Sequence, residues 1–191
     1  MSSFVHLHLH TEYSLLDGAN PIAKTLDRVK ELGMDACAIT DHGVMYGVID
    51  FYKACKREGI KPILGMEAYV APRSMRDREG AQDREYAHLV LLAKNDAGYR
   101  NLMQLASEAF LHGFYYKPRI DYDLLEAHAE GLVCLSACLA GDIPQALLSG
   151  RYDDAKRLGE RLHRMFGDDF YIELQDHGLE EDQAVLPQLI R

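Results

Sequence analysis

Three histidines stand at alternate positions in FVHLHLHTEYSLLDG (residues 4–18), and Glu12 and Asp17 follow them. On an extended strand, alternation would set Phe4, His6, His8 and His10 on one face and Val5, Leu7 and Leu9 on the other. Imidazoles crowded on one face oppose one another's protonation, and buried ring nitrogens need partners. A divalent cation meets both needs, because neutral imidazole is a common metal ligand and nearby carboxylates add hard oxygen donors. The alternative is a partly exposed strand that happens to be rich in histidine.

The elements that would position such a site are legible in the apolar patterning. Strand-like runs cover 4–10, 36–40, 61–70, 86–93, 131–137 and 170–174, and helical patterns cover 21–32, 46–58, 97–110, 122–128, 143–148 and 152–166. The first helix has Asn20 as its expected cap, Pro21 at its first position, an apolar stripe of Ile22, Leu26, Val29 and Leu32, and Gly33 at its end. This alternation implies a parallel α/β sheet, with a barrel preferred over an open sheet.

In such folds ligands bind beyond the carboxyl ends of the strands. His8 and His10 end the first run, Asp41 and His42 follow the second, Glu67 lies within the third and His88 within the fourth. Cys138 follows the fifth, and Asp176 and His177 the sixth. Taken singly, each has a structural reading: a core histidine for His88, an ion pair for Glu67, a turn cap for Asp41, a small core residue for Cys138, a turn residue for His177. Together they describe a nitrogen and oxygen basin able to hold more than one divalent ion.

Composition narrows the function classes. The chain of 191 residues is 48% hydrophobic and 27% charged, which suits one sizeable globular core. No run is long enough to span a bilayer and no signal peptide opens the chain, so a cytoplasmic location is expected. The four cysteines form no Cys-x-x-Cys pair and read as thiols. A net charge of −9 opposes broad electrostatic binding of duplex nucleic acid, although metal ions can still bring phosphates to an acidic surface. The charged stretch 72–85 lacks an apolar stripe and reads as an exposed loop anchored only at its ends. Residues 180–191 read as a helix interrupted before any closing strand.

HLHT, TDHG and GMEAY, with LLDG, YAHL, HLVLLAKNDAGYRNLMQLAS, GFYYKPRID and LSACLAGDIP in order, resemble the polymerase and histidinol phosphatase (PHP) family. Within that family the whole of 1–191 is similar to the N-terminal PHP domains of bacterial replicative DNA polymerase III alpha subunits. The resemblance implies a distorted (β/α)7 barrel, here truncated before its last strands, with up to three divalent ions (Zn, Mn or Fe) on one face. It implies His8, His10, Asp17, His42, Glu67, His88 and Cys138 as metal ligands, with His6 outside the set, and names no catalytic residue beyond them. The family's late Asp-x-His ligand pair would lie past residue 191, and Asp176-His177 does not match it. The palm carboxylates of nucleotide polymerisation are not among these residues.

The implied activity is that of a metal-dependent phosphoesterase, a 3′-5′ exonuclease or pyrophosphatase within a DNA-replicating enzyme. An incomplete ligand set would leave this piece weakly active or inactive. The implied partners are DNA, a proofreading exonuclease, the sliding clamp and the clamp loader. Two alternatives remain at this point: a metal-bearing structural module that docks the proofreading subunit, and a free-standing PHP phosphatase.

Overall fold

The computed structural model of the protein describes residues 4–191. In chain order the elements are α1 (Ile22–Glu31), β1 (Ala36–Ile39), α2 (Val48–Glu58), β2 (Lys61–Val70), β3 (Ala87–Ala93), α3 (Asp96–Leu111), β4 (Arg119–Ile120), α4 (Tyr122–Ala127), β5 (Leu132–Leu135), α5 (Asp142–Leu148), α6 (Tyr152–Phe166), β6 (Phe170–Tyr171) and α7 (Glu180–Leu189). α1 buries Ile22, Leu26 and Val29, three positions that share one helical face. Its entry differs from the expected Asn20 cap. The Ile22 amide donates to Glu12 Oε2 at 2.8 Å, while the Asn20 side chain donates to the His10 carbonyl at 3.0 Å. α2 stops at Gly59, whose φ of 72° is left-handed.

The sheet runs β1-β2-β3-β5-β6, with β4 beside β2. β1, β4 and β6 each lie parallel to a neighbour, but β3 is antiparallel to both β2 and β5, so the sheet is mixed rather than parallel. The reason lies in the connection: residues 71–86 contain only one turn of 3-10 helix, too little for the crossover that parallel neighbours require. One edge of β2 is shared along its length, first by β1 and then by β4.

Residues 4–10 do not form a strand. The His6 carbonyl accepts from Ala38 N and the Leu9 carbonyl from Thr40 N, both at 2.9 Å, so a three-residue step opposes a two-residue step on β1. The bend at Leu7 and His8 breaks the alternation. The sheet is not closed, and residues 4–8 and 171–177, which meet at His8 and Glu173, line a groove of about 910 Å³ beside Lys61, Leu92 and Val133.

Three apolar clusters hold these layers. The largest joins β2, β3 and β5 to α3, α5, α6 and α7, and a second joins β1 to α1 and α2. Ala38, Val90, Leu92, Leu135 and Ala137 form a third cluster, with Val90 and Leu92 on the face of β3 opposite Leu89 and Leu91.

The loop 72–85 is pinned along its length and not only at its ends. Arg119, 0% exposed, donates to the carbonyls of Gly113 (3.2 Å), Asp83 (2.5 Å), Met75 (3.1 Å) and Asp77 (2.9 Å). Buried Asp83 accepts from Arg73 Nε (3.1 Å), Arg73 Nη2 (2.8 Å) and Glu79 N (2.6 Å). Met75 is also buried. A loop without an apolar stripe is thus ordered through polar contacts, which hydrophobic periodicity does not register.

Candidate metal centre

Glu67 lies in the second half of β2, where His42 bridges to it on one side and β3 pairs on the other. Tyr69 opposes His88 in that pairing, so His88 sits diagonally across from Glu67. His88 N in turn donates to the Ala140 carbonyl, which draws in the loop carrying Cys138. Cys138 follows Ala137, whose φ of 62° is strained for a residue with a side chain and costs about 1–2 kcal/mol. Asp17 is placed by a tight turn. Asp41 accepts from Thr11 N, Thr11 Oγ1 and Ser14 Oγ at 2.7–2.8 Å, and a Cβ on Gly18 would come within 1.8 Å of the Thr11 carbonyl oxygen.

Both oxygens of fully buried Glu67 face imidazoles. Oε1 lies 2.9 Å from His88 Nδ1 and 3.3 Å from His8 Nε2, and Oε2 lies 2.8 Å from both His10 Nε2 and His42 Nδ1. Asp17 Oδ2 reaches His42 Nε2 at 2.8 Å and stands 3.9 Å from His10 Nδ1. Cys138 Sγ lies 3.7 Å from His88 Nδ1 and 3.8 Å from Glu67 Oε1. Among the described residues, three overlapping triads have ligand atoms close enough to hold an ion: His8, His10 and Glu67; His10, Asp17 and His42; His42, Glu67 and His88.

A family profile described as the PHP domain matches residues 6–177. The chain belongs to the PHP domain family. Much of this PHP domain is also similar to longer curated proteins. It is 54% identical over 190 residues to DNA polymerase III subunit alpha of Treponema pallidum, covering 98% of this chain and 16% of that protein. It is 51% identical over 187 residues to the same subunit of Thermus aquaticus, covering 95% and 15%. The chain therefore spans about one sixth of the length of these relatives. Among solved structures, a Bifidobacterium adolescentis protein assigned as a metal-dependent phosphoesterase aligns with a TM-score of 0.53 at 14% identity, covering 97% of this chain and 82% of that one. This last likeness supports the α/β PHP fold.

The PHP domain's seven sequence-expected residues, His8, His10, Asp17, His42, Glu67, His88 and Cys138, converge on this one basin. His6 does not join them; it contacts Phe4 edge-on at 5.0 Å and lines a different hollow with Leu9 and Pro21. Asp176 and His177, expected at a strand end, lie beyond β6 and serve the entry to α7: Asp176 Oδ1 accepts from Gly178 N, and His177 N donates to Asp182 Oδ2. Two residues of the basin escaped the sequence reading. Glu173 Oε1 meets His8 Nδ1 at 2.8 Å, and Gln175 Nε2 bonds Glu173 at 2.6 Å and lies 3.3 Å from His8 Nδ1. Their alternation with Ile172 and Leu174 gave no signal for them, because it assigns the apolar pair to the inward face.

The electrostatics fit a missing positive charge. Burial disfavours the Glu67 carboxylate, but His10, His42, His8 and His88 around it outweigh that cost and hold it far below the usual carboxylate range. Burial works against protonating His8 as well, yet Glu173 and Glu67 push it up to about 10. His42 is raised in the same way against its burial, by Glu67 and Asp17. The Cys138 thiol is pushed up to about 11, chiefly by burial and then by Glu67. The carboxylates thus favour positive charge at His8 and His42, as they would favour a dication. His10 Nε2, His42 Nδ1 and Glu67 Oε2 are buried, within 2.8 Å of a neighbour, and yet unaligned as hydrogen bonds. Glu173 Oε2 is also buried without a partner. Such orphaned atoms are costly unless a cation satisfies them, and the donor set suits divalent metals.

Proposed function

We propose that this PHP domain is a metal-dependent phosphoesterase whose ligands are His8, His10, Asp17, His42, Glu67, His88 and Cys138. The observation that carries the reading is the set of orphaned atoms around Glu67, which face one another at contact distance without bonding. Divalent cations held there (Zn, Mn or Fe, up to three) would supply Lewis acidity toward phosphoryl oxygens and acidify water.

The chain's own groups do the positioning. Glu67 places four imidazoles around one point, and Glu173 holds His8 Nδ1 so that Nε2 faces inward. Asp17, exposed at the rim, leaves one side of the basin open to a substrate. No side chain in the basin is needed as nucleophile.

The similarity to polymerase alpha subunits supports a phosphodiester at a nucleic-acid 3′ end, or pyrophosphate, as substrate. In this reading residues 1–191 are one PHP unit acting in cytoplasmic DNA replication. DNA is its partner, together with the proofreading exonuclease, sliding clamp and clamp loader.

The test is Mn-dependent release of nucleotide from a 3′-labelled single strand. Release is expected from a full-length polymerase subunit that carries this domain and is lost there in His10→Ala and His42→Ala, with the fold intact by circular dichroism, while residues 1–191 alone release little or none. Full metal content with no hydrolysis of any phosphate ester would overturn the catalytic reading in favour of a structural module.

A further inference from the structure

A second cavity shares Asp17, His42 and His88 with the basin and is otherwise built largely from aromatic residues. The stretch from Phe110 to Lys117, at the end of α3 and beyond, is rich in aromatic residues and closes on a lysine. In the fold, Tyr46, Phe110 and Phe114 form a row, with centroids 6.3 Å and then 6.0 Å apart and ring planes tilted by 39° and 31°. These rings are 62%, 38% and 47% exposed, more than burial in a core would leave. They line a cleft of about 380 Å³, within the size range of small-molecule sites.

The floor of the cleft is Tyr69, which stacks on His42 at 5.7 Å with only 4° between the planes. Lys117 Nζ lies 5.3 Å from the Tyr69 ring centroid. Asp17, His42 and His88 face both the cleft and the basin, so a ligand can occupy the two at once.

We propose that this cleft is the stacking subsite for the terminal base of a single-stranded nucleic acid whose last phosphodiester enters the metal basin; the proposal rests on the phosphoesterase reading. Exposed aromatic faces beside a cation are the chemistry that binds unpaired bases, because every base offers a π face. A sugar phosphate without a base would leave the row unused. The net charge of −9 disfavours a long duplex track and suits a site that reads one end. Lys117 supplies positive charge beside that end.

The experiment measures binding to the metal-loaded protein of a short single strand carrying 2-aminopurine at its 3′ end, whose fluorescence is quenched on stacking. A strand with an abasic 3′ residue serves as the unstacked control. The abasic strand is expected to bind about 10- to 100-fold more weakly, and Phe110→Ala combined with Phe114→Ala to abolish the quench with a similar loss. Metal content should stay unchanged in that variant. Tyr at both positions should restore the quench and Leu should not, which separates ring stacking from apolar contact.

Equal binding of the two strands, or full binding by the Leu variant, overturns the proposal. Base-dependent binding without any hydrolysis would retain the cleft and remove the phosphoesterase reading. Hydrolysis at equal rates for thymidine-ended and abasic-ended strands would do the reverse.

Discussion

Glu67 and Arg119 are both charged, both wholly buried and both held among polar atoms, yet their surroundings differ in kind. Arg119 spends its guanidinium on four carbonyls, so its charge is neutralised by dipoles and the loop 72–85 is tied down. Glu67 touches four imidazoles while Oε2 and two facing nitrogens remain unpaired. A satisfied buried charge is scaffold, and removing it exposes its partners. An unsatisfied buried cluster is a reservoir of binding energy for a cation. The two regions are therefore expected to fail in different ways.

Replacing Arg119 by Met should have the largest effect on folding. Four buried carbonyls lose their donor, and the expected loss is about 3 kcal/mol in urea unfolding. Trypsin should then cut at Arg73, Arg76, Arg78 or Arg84, bonds that are resistant in the wild type because the loop is pinned. A wild-type loop cut as fast as the variant would remove the distinction between anchored and mobile.

Glu67→Gln should reverse that pattern. Metal affinity is expected to fall by more than about 100-fold, beyond the usual effect of outer partners. The midpoint of urea unfolding of the metal-free protein should shift less than in the Arg119 variant. Glu173→Gln sharpens the contrast within the basin. It orients His8 rather than sitting at the centre, so a loss of about 10- to 100-fold in metal affinity is expected by equilibrium dialysis.

The smallest effect concerns acid stability of the anchor. The Arg73 guanidinium, against the opposing effect of burial, holds Asp83 below the usual carboxylate range. Its stabilising contribution is present above the unfolded pKa of about 3.9 and is lost as pH falls through the lowered folded value. Asp83→Asn should flatten the dependence of the unfolding midpoint on pH below about 4, and leave metal binding unchanged.

Part of the basin was legible because His42, Glu67, His88 and Cys138 stand within or just after apolar runs, whereas Asp17 and the full ligand set came from the resemblance to the PHP family. β2 and α6 have the bounds that periodicity gives, 61–70 and 152–166, and the seven residues expected of the site meet around Glu67. What was not legible depends on contacts between distant segments. The bend at Leu7 and His8 is set by pairing with β1, and Arg119 reaches back to Met75 and Asp77. β4 is two residues long, too short for any period. Glu173 was concealed by the apolar residues on either side of it. Ile172 and Leu174 are exposed while Glu173 and Gln175 point inward, the inverse of what hydrophobic alternation suggests.

The most direct test strips the protein with EDTA, titrates Mn or Zn back, and follows bound metal by elemental analysis together with the thermal midpoint. The wild type is expected to take up metal and to rise in midpoint as the orphaned atoms gain a partner, while Glu67→Gln does neither. A folded wild type that takes up no metal, or a Glu67→Gln protein that binds as much and is stabilised as far, would contradict the account.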